Sequence, residues 1–184
     1  MICCVDVDNT LFPFGKILHS LLKFEGFKIP EPEKWDKWDF YKDYGISKKV
    51  FYELCNEIHK NQEIFTPFED AKCLLDYLYK NNYKIIIASH RNIRFGSALI
   101  NWLDKYNLKY DDIHLSYDKT TLWASGEVDL VIDDNPEVIK DALKGGIQCT
   151  GIRYAWNKEY WSILKNNLTE IKEALCQPSV LMKN

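Results

Sequence analysis

No stretch of this chain approaches the roughly 20 consecutive apolar residues that a bilayer span needs, so no transmembrane helix is expected. Met1-Ile2-Cys3-Cys4-Val5-Asp6 has neither a basic leader nor a small-residue cleavage site. A secretory signal is therefore not expected, and the reading is a cytoplasmic protein without a membrane partner. The six cysteines form no C-x-x-C pair and no Cys/His cluster at zinc spacing. That argues against a structural zinc or a dithiol centre and leaves reduced thiols, which are commonly buried. Basic residues are not in excess: 24 Lys and Arg stand against 27 Asp and Glu, for a net charge of −3. Proteins that hold long nucleic acid usually carry a basic face, so no long nucleic acid is expected as partner. A small anion held by a few local groups fits. Repeats and low-complexity segments are absent as well.

The chain has 184 residues, of which 46% are hydrophobic and 28% charged. These values suit one globular domain with a core of ordinary size. Short apolar runs alternate with amphipathic stretches. Ile2 to Val7, Lys84 to Ala88, Ile113 to Leu115, Val128 to Ile132 and Gln148 to Arg153 read as strands. Cys3 and Cys4, being adjacent on a strand, should face opposite sides of the sheet. Helical spacing runs through Ala71, Leu74, Leu75 and Leu78, and through Ala98, Leu99, Trp102, Leu103 and Tyr106. Thr66-Pro67-Phe68-Glu69 predicts a capping box at the start of the first of these helices, and Asn82 helps to end it. Asn135-Pro136 opens another, with Val138, Ile139, Ala142 and Leu143 on its apolar side and Gly145-Gly146 as its stop. Strands separated by helices imply a parallel α/β sheet.

One region breaks the alternation. About fifty residues between the first strand and Thr66 hold helical patterns, Ile17/Leu18/Leu21/Leu22 and Val50/Phe51/Leu54/Ile58, around an aromatic-rich stretch from Pro30 to Tyr41. Residues 15–65 are read as a helical cap, residues 1–14 and 66–176 as the α/β core, and residues 177–184 as a loose tail.

In an open parallel sheet, ligands bind beyond the carboxyl ends of the strands. Asp6, Asp8 and Thr10 follow the first apolar run, Ser89, His90 and Arg91 the second, Lys119 the third, and Asp133 and Asp134 the fourth. Carboxylates gathered at one edge repel each other unless a cation joins them, and oxygen-only ligands of this kind suit Mg²⁺. A lysine and a hydroxyl beside them suit a phosphoryl group. A carboxylate can attack phosphorus to give an aspartyl-phosphate, while a second serves as acid and then base. Each element alone reads as a turn or cap; together they point to one site. Arg153, Trp156 and Asn157 follow the last strand, where lining and packing roles stay open.

Asp6-Val7-Asp8-Asn9-Thr10-Leu11 resembles the first motif of the haloacid dehalogenase superfamily, Ser89 its second, Lys119 its third and Asp133-Asp134 its fourth. Asn9 stands where Gly is frequent. The resemblance implies a Rossmann-like open parallel sheet flanked by helices, with a small helical cap after the first strand. It implies Asp6 as nucleophile, Asp8 as general acid/base, and Ser89 and Lys119 as phosphate-binding groups. It also implies Mg²⁺ held by Asp6, the backbone carbonyl of Asp8, Asp133 and, through water or hydrogen bonds, Asp134. An Asp at position 8 favours phosphatase chemistry over dehalogenation.

Within that superfamily the chain looks most like the 5'(3')-deoxyribonucleotidases. Ser116-Tyr117-Asp118-Lys119-Thr120 and Leu130-Val131-Ile132-Asp133-Asp134-Asn135-Pro136 carry the likeness, although Asn135 replaces the usual Arg and His90-Arg91 the commoner Pro. Phe14 lies at the spacing where that family places a Phe near the base, and Phe40-Tyr41 about where its cap offers aromatic rings. With His90 and Arg91 these are the candidate substrate-binding residues. Base stacking on aromatic rings contributes roughly 1–3 kcal/mol, and Phe14, Trp35, Trp38, Phe40 and Tyr41 are candidates for it or for cap core. The expected partner is a small phosphate ester, a nucleoside monophosphate. A 3'-phosphatase on nucleic-acid ends, a sugar-phosphate phosphatase and a catalytically silent nucleotide-binding module stand as alternatives.

Overall fold

Five strands form one parallel sheet in the order β3-β2-β1-β4-β5: β1 Ile2–Val5, β2 Lys84–Ser89, β3 Asp112–Leu115, β4 Leu130–Ile132 and β5 Gln148–Thr150. The computed structural model describes residues 1–123 and 126–177. The tail expected from residue 177 therefore lies, beyond Gln177, outside the described residues. No helix among the described residues is long and apolar enough to cross a membrane.

β1 is the central strand, and its burial explains its sequence. Both faces are covered, so it reads as a continuous apolar run. Cys3 joins a core with Val5, Leu74, Leu78, Leu99 and Trp102 on one side of the sheet. Cys4 joins Ile86, Val131, Ile139 and Leu164 on the other. The helices on these faces are α3 Ala71–Lys80, α4 Gly96–Lys105, α6 Pro136–Lys144 and α7 Leu168–Cys176, with the short α5 Thr120–Trp123 between β3 and β4.

Strand order reverses around β1, since β2 and β3 lie to one side and β4 and β5 to the other. That makes the carboxyl ends of β1 and β4 a topological switch point, where a crevice opens. The register Val5↔Ile132 puts Asp6 beside Asp133, and the Asp6 N–H donates to Ile132 O at 2.9 Å.

The segment between β1 and α3 contains no strand. It holds α1 Phe14–Phe24, 3₁₀ turns at Pro32–Lys34, Phe40–Tyr44 and Gln62–Ile64, and α2 Lys48–Lys60. The apolar stripes at Leu18/Leu22 and at Ile58 face the main core. Ser47 caps α2 by accepting the Val50 N–H at 3.3 Å, which offsets an orphaned donor of the first turn.

Two local expectations need correction. Thr66-Pro67-Phe68-Glu69 does not open α3, which begins at Ala71 with Asp70 at the N-cap and no side-chain cap bond. The Phe68 N–H is taken instead by Leu11 O at 2.9 Å, and the Asp70 carboxylate accepts from Thr169 N–H (2.7 Å) and Oγ1 (3.0 Å). Long-range bonds thus outcompete the local cap. Several strands are also shorter than their apolar runs. Past Val5 the chain turns, with Leu11 N–H donating to Val7 O at 2.8 Å. The Asn135 cap and the Gly146 stop stand as expected: Asn135 Oδ1 accepts from Glu137 N–H at 3.0 Å, and Gly146 has φ of +73°. Asn82 sits just past α3 with φ of +60°.

Candidate active site

The loop after β1 is built on Asn9. Its φ is +61°, a left-handed conformation that Gly and Asn adopt most readily. This accounts for Asn where Gly is frequent. The side chain also contributes: Asn9 Oδ1 accepts from the Gly15 N–H at 2.7 Å and so caps the approach to α1. Asn9 O accepts from the Tyr154 hydroxyl at 2.7 Å, which ties the loop to the segment after β5.

Lys119 sits between two carboxylates. Its Nζ donates to Asp6 Oδ1 at 2.5 Å and to Asp133 Oδ2 at 2.7 Å, and all three side chains are buried. The turn before it explains the late arrival after β3: Asp118 N–H donates to Ser116 Oγ, and Asp118 Oδ1 caps Thr120 N–H at 2.9 Å. Burial lowers the Lys119 ammonium, but Asp133 and Asp6 outweigh it and hold it above the ordinary lysine range. Burial pushes the Asp6 carboxyl up to about 7; Lys119 opposes the rise, and Asp133 and Asp8 add to it. Asp134 is pushed well up by burial, then by Asp6 and Asp133.

Oxygens of Asp6, Asp133 and Asp134 lie within 4.8 Å of one another. Three buried carboxylates served by one lysine are an excess of negative charge, and hard oxygen donors so placed fit a divalent cation. Surrounding bonds fix them. Asp133 Oδ1 accepts from Asn135 N–H at 2.8 Å. Asp134 Oδ2 accepts from Trp156 Nε1 at 3.2 Å, and its carbonyl from Asn157 Nδ2 at 2.9 Å.

Asp8 lies in a second group. Oδ1 accepts from Arg91 Nη2 at 2.9 Å, and Oδ2 pairs with His59 Nε2 at 2.9 Å. Burial alone would raise the Asp8 carboxyl, but Arg91 and His59 reverse this and hold it at about 2. Arg91 is fully buried: Nε donates to Ser89 Oγ at 2.7 Å and Nη1 to Gln62 Oε1. A hydroxyl that accepts from a guanidinium keeps its own proton free to donate, so the bond from Arg91 does not consume the Ser89 O–H.

A cavity of about 210 Å³ joins both groups to α1, α2 and the turns between them, just below the ~300–1,000 Å³ common for ligand pockets. Phe14, Phe40, Tyr41, His90 and Arg91 all line it, as do Asp6, Asp8, Lys119, Asp133 and Asp134. Much of its aromatic surface is already paired. Trp35 stacks on Phe40 at 3.7 Å between centroids, and Phe51 on Tyr41 at 4.2 Å. The more exposed rings are Trp38, Tyr52 and Tyr117. Ser89 is buried at the tip of β2 without lining the cavity directly. Arg153 turns away to donate to Trp161 O.

Sequence reasoning missed His59 and Gln62, which reach the site from the helical segment. A lone His on an amphipathic helix carries no motif, and only the fold aligns it with Asp8.

No protein-family model matches the sequence, and no curated protein matches it. Solved structures do match in fold. A HAD-superfamily hydrolase from Ehrlichia chaffeensis is 22% identical, covering 96% of both chains, with a TM-score of 0.57. A HAD hydrolase of family IA, variant 3, from Entamoeba histolytica is 16% identical over 92% of this chain and 94% of its own, with a TM-score of 0.59. A dehalogenase is 14% identical over 96% of this chain and 97% of its own, with a TM-score of 0.60. Neighbours described as hydrolases and as a dehalogenase share this architecture, so the comparisons show a HAD-like α/β fold and the reaction is argued from the site.

Proposed function

We propose that the protein is a cytoplasmic Mg²⁺-dependent phosphomonoesterase that works through an aspartyl-phosphate on Asp6, with a nucleoside monophosphate as substrate. The observation that carries this reading is Lys119 held between Asp6 and Asp133 at the switch point, with Asp8 beside them. Residues 15–65 act as a cap that roofs the crevice.

In this account Asp6 attacks phosphorus while Lys119, which lines the cavity, binds the phosphoryl oxygens, with Ser89 at the tip of β2 as the second phosphate-binding candidate. Asp8 gives a proton to the leaving oxygen and then takes one from the water that attacks the aspartyl-phosphate. As placed, Asp8 is ionised at neutral pH. A phosphoryl dianion arriving beside it is a like charge, which raises its proton affinity and makes it an acid when one is needed. Asp6, Asp133 and Asp134 would hold Mg²⁺, with the Asp8 carbonyl as the fourth candidate ligand, and the cation would offset phosphoryl charge there. His90, Phe14, Phe40 and Tyr41 line the space left for the leaving group, and Arg91 backs it. A cavity of about 210 Å³ favours a small ester over a nucleic-acid end.

The test is phosphate release with Mg²⁺ across ribo- and deoxyribonucleoside monophosphates, sugar phosphates and a 3'-phosphorylated oligonucleotide. Preference for the nucleoside monophosphates, silenced by EDTA and restored by Mg²⁺, is expected. Activity confined to sugar phosphates or to the oligonucleotide would overturn the substrate and keep the chemistry.

A further inference from the structure

His59 belongs to α2, more than fifty positions from Asp8 in the chain, yet its Nε2 lies 2.9 Å from Asp8 Oδ2. The contact is built rather than incidental. The imidazole is 5% exposed and is held between the rings of Phe14 (5.4 Å) and Phe95 (6.1 Å). Facing the carboxylate form of Asp8, which only accepts, Nε2 is the donor. Arg91, from the loop after β2, donates to the other oxygen at 2.9 Å. Each oxygen is thereby fixed by a different element, and rotation of the carboxylate is stopped. A carboxylate has about four lone-pair sites, so others remain for a substrate in the cavity that Asp8 lines. Gln62, just past α2, accepts from the same Arg91 and is fully buried. The helical segment thus grips the Asp8–Arg91 pair at two points.

We propose that His59 is a positioning residue for Asp8: it aims the carboxylate at the leaving-group oxygen, so that proton transfer depends on α2 being docked over the sheet edge. This rests on the phosphomonoesterase reading. In the step concerned, a bond forms between an Asp6 oxygen and phosphorus. The bond from phosphorus to the leaving oxygen breaks, and that oxygen takes the proton of the Asp8 carboxyl. A leaving group that is stable as an anion needs little of that proton, whereas an alkoxide needs all of it.

The experiment compares kcat/KM for 4-nitrophenyl phosphate and benzyl phosphate in the wild type, His59→Leu and His59→Gln. The two esters are similar in shape and differ in leaving-group basicity. General acid catalysis contributes typically 10²–10⁴-fold, so His59→Leu should lower kcat/KM for benzyl phosphate at least about tenfold more than for 4-nitrophenyl phosphate. His59→Gln, which keeps an N–H donor near Nε2, should recover much of the difference. Equal losses on both esters in the presence of wild-type activity, or no loss on either, would overturn the positioning role alone. A wild type inactive on both esters and on the nucleoside monophosphates would overturn the hydrolase reading and this proposal with it.

Discussion

The ammonium of Lys119 lies 2.5 Å from Asp6 and 2.7 Å from Asp133, with all three groups buried. Removing it leaves two buried carboxylates facing each other without their shared counter-charge. Breaking a buried pair from one side costs about 3–5 kcal/mol. Lys119→Met should therefore lose about 3 kcal/mol in urea unfolding, together with phosphatase activity. A stable, active Lys119→Met would contradict the role given to it. Asp8 makes a second prediction, with the opposite source of charge. Its folded-state carboxyl is held at about 2, below the roughly 3.9 of an unfolded Asp. The stabilisation is present above about pH 4 and is lost as pH falls toward 2, on the order of 2 kcal/mol. The urea midpoint should fall more steeply over that window in the wild type than in Asp8→Asn, and parallel curves would refute it. At this scale the sequence was informative where a polar residue ends an apolar run: Asp6 and Asp133 stand directly beyond β1 and β4, and Ser89 is the last residue of β2. It was silent on the direction of Asp8, because Arg91 and His59, which turn it, come from other elements.

The loop beyond β4 depends on how closely β5 can approach. A Cβ on Gly151 would lie 1.9 Å from Asp133 O and 2.8 Å from its carbonyl carbon. No side-chain rotation relieves a clash with backbone, so Gly151→Ala must displace Asp133. Overpacking of this kind costs about 1–3 kcal/mol. The expected outcome is a rise in the Mg²⁺ concentration needed for half-maximal phosphate release, measured by titration, along with that stability loss. An unchanged Mg²⁺ requirement would separate Asp133 from the cation. The elements themselves differ in how plainly the sequence announces them. α6 is explicit, because Asn135, Pro136 and Gly146 each act within their own turn. The start of α3 misleads, because the Phe68 N–H and the Asp70 carboxylate are engaged by Leu11 and by α7 instead. The Pro32–Lys34 and Phe40–Tyr44 turns have no periodicity to read, and their aromatics settle by stacking on one another.

Across the whole molecule, the order β3-β2-β1-β4-β5 converts a linear series of short motifs into one crevice. Asp6 lies at the centre, Ser89 and Arg91 on the β2 side, and Asp133 and Asp134 on the β4 side. Lys119 crosses from beyond β3 to the middle. The helical segment lines the cavity with His59, while Gln62 lies behind it as a partner of Arg91. Alternation of strands and helices made the sheet class legible, and the position of the carboxylates along the chain made their meeting point legible. The occupancy of the cavity walls was not, since Phe40 and Tyr41 lie buried against Trp35 and Phe51 as well as facing the space.

The central claim is that Asp6 becomes covalently phosphorylated. The direct measurement is a rapid acid quench of enzyme turning over a nucleoside monophosphate with Mg²⁺, followed by mass mapping of the peptides. A phosphoryl group on the peptide that carries Asp6, absent from Asp6→Asn, is the predicted result, and turnover in that variant should fall roughly ten-thousandfold or more with its fold intact. Phosphate release that continues in Asp6→Asn, with no phosphorylated peptide in the wild type, would contradict the account.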